Sequence, residues 1–194
     1  MGMVRKSPTW EDTLKHSSPK HSAILTNDPS LTAWGWAVLD ETMMLKDHGC
    51  IKTAPEQKKR RIRKSDDTSR RASDITRELL RVIKKYDVKF ILSESPHGSQ
   101  NASAAVMIGL CCGITTALSE AREIPIEYYS EGDSKKECLG KLAATKDEMV
   151  ARMTSIFGKE WKTGTKYIDE AVADALAVYV VASRQSTSLK LLRQ

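Results

Sequence analysis

Between Ser22 and Thr53 short apolar runs alternate with turn residues. Ala23–Asn27 (AILTN) reads as a strand and Ala33–Asp40 (AWGWAVLD) as a second. Gly49–Thr53 (GCIKT) reads as a third, after a turn at Lys46–His48, and connections this short indicate an antiparallel meander. From Thr68 to Tyr86 the period changes: Ile75, Leu79, Leu80, Val82 and Ile83 recur at helical spacing among charges. Val88–Glu94 (VKFILSE) is a continuous apolar strand that stops on an acid. Asn101–Glu120 is a helix rich in Ala and Gly, and Ile124–Tyr129 is a fifth strand. A short helix at Ser134–Leu139 and longer ones at Lys146–Ile156 and Ile168–Ser183 complete the pattern. Three antiparallel strands followed by alternating helices and strands predict an α/β domain, a mixed five-stranded sheet flanked by helices. The domain runs over residues 22–185, after an aperiodic basic extension (1–21) and before a tail (186–194).

Composition sharpens this only in places. A chain of 194 residues can bury about 70% of its unfolded surface without disulfides. Cys50, Cys111, Cys112 and Cys138 contain no C-x-x-C, which fits a reducing compartment and a cytoplasmic location. No uninterrupted apolar run reaches the ~18 residues of a membrane span, and no signal core is visible. The net charge of +6 changes the picture more, because it is clustered. Lys58, Lys59, Arg60, Arg61, Arg63 and Lys64 form one run, and Arg70 and Arg71 follow. Such an arm suits a polyanion, with salt-dependent affinity, although a solvated basic loop gives the same pattern.

The chemistry lies in the acids. Asp28 stands at the end of the first strand and Glu94 at the end of the fourth. The last helix opens on Tyr167–Val178 (YIDEAVADALAV), where Glu170 and Asp174 share a face at i and i+4 and repel by a few tenths of a kcal/mol. Each acid has an ordinary explanation: an Asx turn for Asp28-Pro29-Ser30, a loop cap for Glu94, the helix dipole for Asp169 and Glu170. Asp174 fits none of these, a turn inside the helix among small apolar residues. Crowded acids beside buried surface call for a cation, and oxygen-only ligation indicates Mg²⁺ or Mn²⁺.

In this order the three blocks resemble the RuvC-type Holliday junction resolvases, closest to phage-type members, within the RNase H-like nuclease superfamily. "ILTNDPSLTAWGWAVLD" resembles the opening D-P-(G/S) block, "ILSESPHGSQNASAAVMIGLCCGI" the glutamate strand with its loop and helix, and "ADALA" the terminal motif. The resemblance covers about Ile24 to Ser183. It implies a metal-dependent endonuclease that nicks four-way DNA junctions, leaving 5′-phosphate and 3′-hydroxyl ends, and works as a homodimer. Broader branched-DNA nucleases of this fold, or an inactive junction-binding protein, are the alternatives. It places metal ligands at Asp28, Glu94 and Asp174, around two Mg²⁺ or Mn²⁺ ions. The family's fourth ligand would fall on Ala171, and this chain offers Glu170 one residue earlier, with Asp169 in reserve. The family's two lysines fall on Lys135 and Lys146, Lys146 being counted as catalytic. His97 takes the place of a junction-wedging aromatic, in a loop where Ser99, Gln100 and Asn101 would also meet DNA. The Ala/Gly-rich helix resembles the element used for the dimer contact.

Overall fold

The sheet is built outward from β1 (Ala23–Asp28), whose side chains are buried on both faces. Residues 21–56, 63–95 and 101–193 are described by this computed structural model. β2 (Ala33–Leu39) pairs antiparallel with β1, and β3 (Leu45–Lys52) antiparallel with β2. On the other side β4 (Val88–Ser95) runs parallel to β1, and β5 (Ile126–Ser130) parallel to β4, giving the order β3-β2-β1-β4-β5. The expected mixed five-stranded sheet is therefore present.

Period-two alternation sends neighbouring side chains into two cores. Ile24, Phe90 and Leu92 face one way, packed with Met153, Trp161 and Leu176. Leu25, Trp34, Val38 and Ile91 face the other, packed with Ile75, Leu79 and Ile114. The second layer holds α1 (Lys64–Tyr86) and α2 (Ala102–Arg122). The first holds α3 (Glu131–Leu139), α4 (Lys146–Phe157) and α5 (Lys166–Gln185). Helix α5 is buried almost all round from Ala171 to Ala182, as its Ala- and Val-rich sequence allows. Its approach to the sheet depends on Gly35: a Cβ there would lie 2.0 Å from the carbonyl oxygen of Ala171.

Three differences from expectation exceed three residues. β3 begins at Leu45, and the turn falls earlier, around Thr42–Met44. The cause is Asp40, whose Oδ1 accepts from Thr42 N (3.0 Å), Thr42 Oγ1 (2.6 Å) and Met44 N (3.1 Å). Helix α1 starts four residues earlier, at Lys64, with Asp66 and Asp67 suited to its positive end. The residues read as a tail contain α6 (Thr187–Leu192), capped by Ser186 Oγ accepting from Leu189 N (2.9 Å), and Leu189 is fully buried. Finally, α2 is long and apolar enough to cross a membrane by length and composition alone. Counting uninterrupted runs missed it, because its Ser, Thr and Gly residues break the run while hardly lowering its hydropathy.

Candidate active site

In open α/β sheets, ligands bind beyond the carboxyl ends of the parallel strands. β1 and β4 both end there on acids, Asp28 and Glu94. Asp28 pairs in register with Gly35, the residue on which α5 packs, so the strand that presents Asp28 and the contact that seats Asp174 are one construction. The turn after Asp28 is held by Ser30, whose Oγ accepts from Thr32 N and Ala33 N, both at 3.4 Å. Asn27 is buried on the opposite face, accepting from Trp34 Nε1 at 3.1 Å.

These acids share one electrostatic environment. Burial, and then the charge of Asp174, pushes the Asp28 carboxyl up to about 7. Burial, and then Asp28, pushes Glu94 up to about 8. Asp174 is raised by burial too, but Lys146 works against it, because the Lys146 ammonium forms an ion pair with the Asp174 carboxylate. Burial disfavours the charge on Lys146, yet Asp174, Asp28 and Glu94 hold its pKa above the usual lysine value. Lys146 reaches this place from the first residue of α4, whose start is fixed by a capping box between Thr145 and Glu148. The wall of the site is a small cavity of about 40 Å³ shared by Glu94, Asp174 and Lys146 with residues of α3.

The other predicted positions separate into groups. Glu170 lies half-buried one turn before Asp174, which feels its charge, with Lys166 Nζ 3.8 Å away. Asp169 is buried and committed elsewhere: it accepts from Thr163 N (2.7 Å), Thr163 Oγ1 (2.8 Å) and Gly164 N (3.2 Å), tying down the loop before α5. The reserve ligand is thus a structural acid. Lys135 pairs with Glu131 at 2.6 Å, one helical turn away on α3. Arg71, read as a phosphate contact, is buried: its guanidinium donates to Thr53 Oγ1 (2.8 Å), Leu31 O (3.1 Å) and Thr32 Oγ1 (3.1 Å), pinning α1 to the sheet. Arg70 is exposed but paired with Asp67 (2.7 Å) and Asp74 (3.2 Å), and Arg63 with Asp66 (2.8 Å). Lys64 is exposed at the start of α1. Asn101 caps α2, accepting from Ala104 N at 3.1 Å. Lys58, Lys59, Arg60, Arg61, His97, Ser99 and Gln100 lie outside the described residues.

One acid at this site escaped the sequence reading. Glu131 follows β5 directly, lines the same cavity, and its charge raises Asp28, Glu94 and Asp174 alike. The signal was available: β5 is the third parallel strand, and an acid at its carboxyl end obeys the rule that Asp28 and Glu94 obey.

Among the described residues no three acid, histidine or cysteine side chains are drawn together as an ion would draw them. The donor set nevertheless fits a divalent cation. Asp174 is buried, Asp28 and Glu94 are half-buried, the three repel one another, and an ammonium already provides the positive charge that they lack.

The family model described as "Crossover junction endodeoxyribonuclease RuvC" matches residues 24–182. The chain is 25% identical over 169 residues to the crossover junction endodeoxyribonuclease RuvC of Nitratidesulfovibrio vulgaris strain Hildenborough, covering 84% of this chain and 92% of the relative. It is likewise 25% identical over 151 residues to that of Ehrlichia canis, covering 77% and 90%. Among solved structures it is similar to T. thermophilus RuvC in complex with Holliday junction substrate, with a TM-score of 0.66 at 20% identity over 83% of this chain and 92% of the other. The yeast mitochondrial Holliday junction resolvase Ydc2 gives 0.59 at 14% identity, over 96% and 90%. Likeness at that identity concerns the fold, which is the expected RNase H-like one.

Proposed function

The chain belongs to the RuvC family of crossover junction endodeoxyribonucleases, and on that premise we propose that it is a metal-dependent endonuclease that resolves four-way DNA junctions. One observation carries the reading: Asp28, Glu94 and Asp174, from three distant parts of the sequence, meet electrostatically around the Lys146 ammonium at the carboxyl end of the parallel strands.

Asp28, Glu94 and Asp174, with Glu170 one turn before Asp174, would hold two Mg²⁺ or Mn²⁺ ions. When bound, such ions activate water and offset charge on the leaving 3′ oxygen, giving 5′-phosphate and 3′-hydroxyl ends. The chain's own residues do the rest. The partial burial of these carboxylates leaves their charge less screened than in water, so they orient what they hold. Lys146, fixed by the start of α4, places a positive charge where a phosphodiester gains negative charge in the transition state. Lys135 supplies a second. Phosphate contacts from the two lysines would position the DNA backbone without themselves carrying sequence information.

Lys64 would steer phosphates; the clustered charge assigns DNA contacts to the Lys58–Arg61 run as well, and the family resemblance to His97, Ser99 and Gln100. Arg71 leaves this set, because its guanidinium is buried and engaged within the protein, while Asn101 is exposed and spends its Oδ1 on the cap of α2. A junction with two-fold symmetry calls for two sites, and the outward face of α2 is the surface through which a homodimer would form. The four cysteines are free, which suits a reducing, DNA-holding compartment such as a bacterial cytoplasm.

The test uses labelled four-way junction, fork and linear duplex, each with Mg²⁺ or with EDTA, beside Asp28→Asn and Glu170→Gln. Junction nicking that needs Mg²⁺ and falls at least about 10²-fold in Asp28→Asn is expected, with junction binding retained in both variants. Intact junctions under every condition sink the nuclease reading. Equal cutting of linear duplex leaves a general nuclease.

A further inference from the structure

The cavity at the end of the sheet has one wall that the proposed chemistry leaves without a purpose. Asp174 lies on α5, Glu94 on β4 and Lys146 on α4, while another wall is the first turns of α3, where Glu131 and Ser134 stand. An acid in a first turn is ordinarily a cap or a complement to the helix dipole. Here the cap is another residue: Asp133 accepts from Ser130 N at 3.1 Å while Ser130 Oγ accepts from Asp133 N at 3.0 Å. Glu131 turns instead toward Lys135, 2.6 Å away, beside the other acids.

Ser134 is the independent observation. It is 2% exposed, and its Oγ has no hydrogen-bond partner among the described residues. A helical serine ordinarily satisfies its hydroxyl on the carbonyl one turn back, and a buried hydroxyl left unpaired is costly to the fold. This hydroxyl lines the cavity with its oxygen uncommitted. A carboxylate and an uncommitted buried hydroxyl, side by side in an acid-lined cavity, match the oxygen shell of a hard divalent cation and its waters.

We propose that Glu131 and Ser134 form the α3 wall of the divalent-cation site, Glu131 adding a further carboxylate to those of β1, β4 and α5. The inference rests on the cation-binding reading of Asp28, Glu94 and Asp174. It gives Lys135 a second duty. Without an ion, Lys135 neutralises Glu131 as Lys146 neutralises Asp174. An ion takes over both carboxylates and leaves both ammonium groups for phosphate, so DNA backbone and metal are gained together.

The experiment is Mn²⁺ titration of the metal-free protein, followed by the spin-resonance signal of free Mn²⁺ and by calorimetry. Wild type is compared with Glu131→Gln, Ser134→Ala, Glu94→Gln and Asp174→Asn, with melting in EDTA as the control for folding. Glu131→Gln should weaken Mn²⁺ binding about 10–100-fold, and Ser134→Ala should act in the same direction by less. Both should melt in EDTA at or above the wild-type temperature, since Ser134→Ala removes an unpaired buried hydroxyl. Wild-type Mn²⁺ affinity in both α3 variants, with binding lost in Glu94→Gln, would overturn this inference and leave the proposed active site standing. Wild-type affinity in Glu94→Gln and Asp174→Asn as well would remove the site itself.

Discussion

Asp28 and Glu94 hold their protons far above the ordinary carboxylate range, at about 7 and about 8, first because they are buried and then because acids surround them. The folded protein therefore binds these protons more tightly than the unfolded chain does. Their contribution to stability is fully present below the unfolded value near 4 and is lost as pH rises through 7 and 8. In EDTA the melting temperature should accordingly fall between pH 5.5 and 8.5, each kcal/mol being worth roughly 2–4 °C in a chain of this size. Added Mg²⁺ should restore more at pH 8.5 than at 5.5, since ligation needs the ionised form. Asp28→Asn should flatten the profile, and scanning fluorimetry across pH checks all three outcomes. A flat wild-type profile would mean that the acids are not crowded as described. Neighbouring residues on α5 show how finely such roles divide: Asp169 and Glu170 are adjacent, yet only Asp169 is spent on three bonds to the preceding loop.

At the scale of elements, the site depends on how closely α5 approaches the sheet. Gly35 on β2 meets the backbone of Ala171, and neither atom belongs to a flexible side chain that could move aside. Gly35→Ala should therefore cost about 1–3 kcal/mol or more as an overpacked contact, and should displace Asp174 from Asp28. Urea unfolding measures the first effect and junction nicking the second; wild-type values in both would show that α5 can back away freely. Gly35 also marks how much was legible from the chain. Period and turn spacing were enough for five strands in a mixed sheet, because the near-continuous apolar runs of β1 and β4 reflect burial on both faces. Asp28, Glu94 and Asp174 were legible as acids at strand ends or among small apolar neighbours. The Asp40 turn and α6 were not, since the first hangs on one side chain accepting from Thr42 and Met44 and the second on one cap and the burial of Leu189. Arg71 was misread for a related reason: beside Arg70 it looks like surface charge, and only folding reveals the backbone carbonyl and hydroxyls waiting for it. Glu131 was missed because the short helix was read as starting at Ser134, which left this acid in a connection instead of at the carboxyl end of β5.

For the whole molecule, the outward face of α2 carries the remaining argument. Ala105, Val106, Gly109, Gly113, Thr116 and Ala117 are exposed along one stripe, and Val106 is 64% exposed. A groove of about 660 Å³ runs beside it, lined by Thr76, Leu80, Leu110 and Ile114 together with both glycines. A Cβ on Gly109 or Gly113 would meet nothing within 4 Å, so the protomer gains no packing from either glycine. Each nevertheless costs a helix interior about 1 kcal/mol relative to Ala. Two glycines at i and i+4 that the protomer does not use suit a close approach from outside, and a second copy meeting the same stripe satisfies two-fold symmetry. Gly113→Ala should then raise the melting temperature of the isolated fold, whereas Gly109→Leu with Gly113→Leu should keep the fold and prevent self-association. Sedimentation should report a dimer for wild type and a monomer for the double variant. On a plasmid carrying an extruded cruciform, wild type should give linear product from two coordinated nicks, and the double variant nicked circles from one. A double variant that remains dimeric and still linearises the plasmid would move the interface to another face of the molecule.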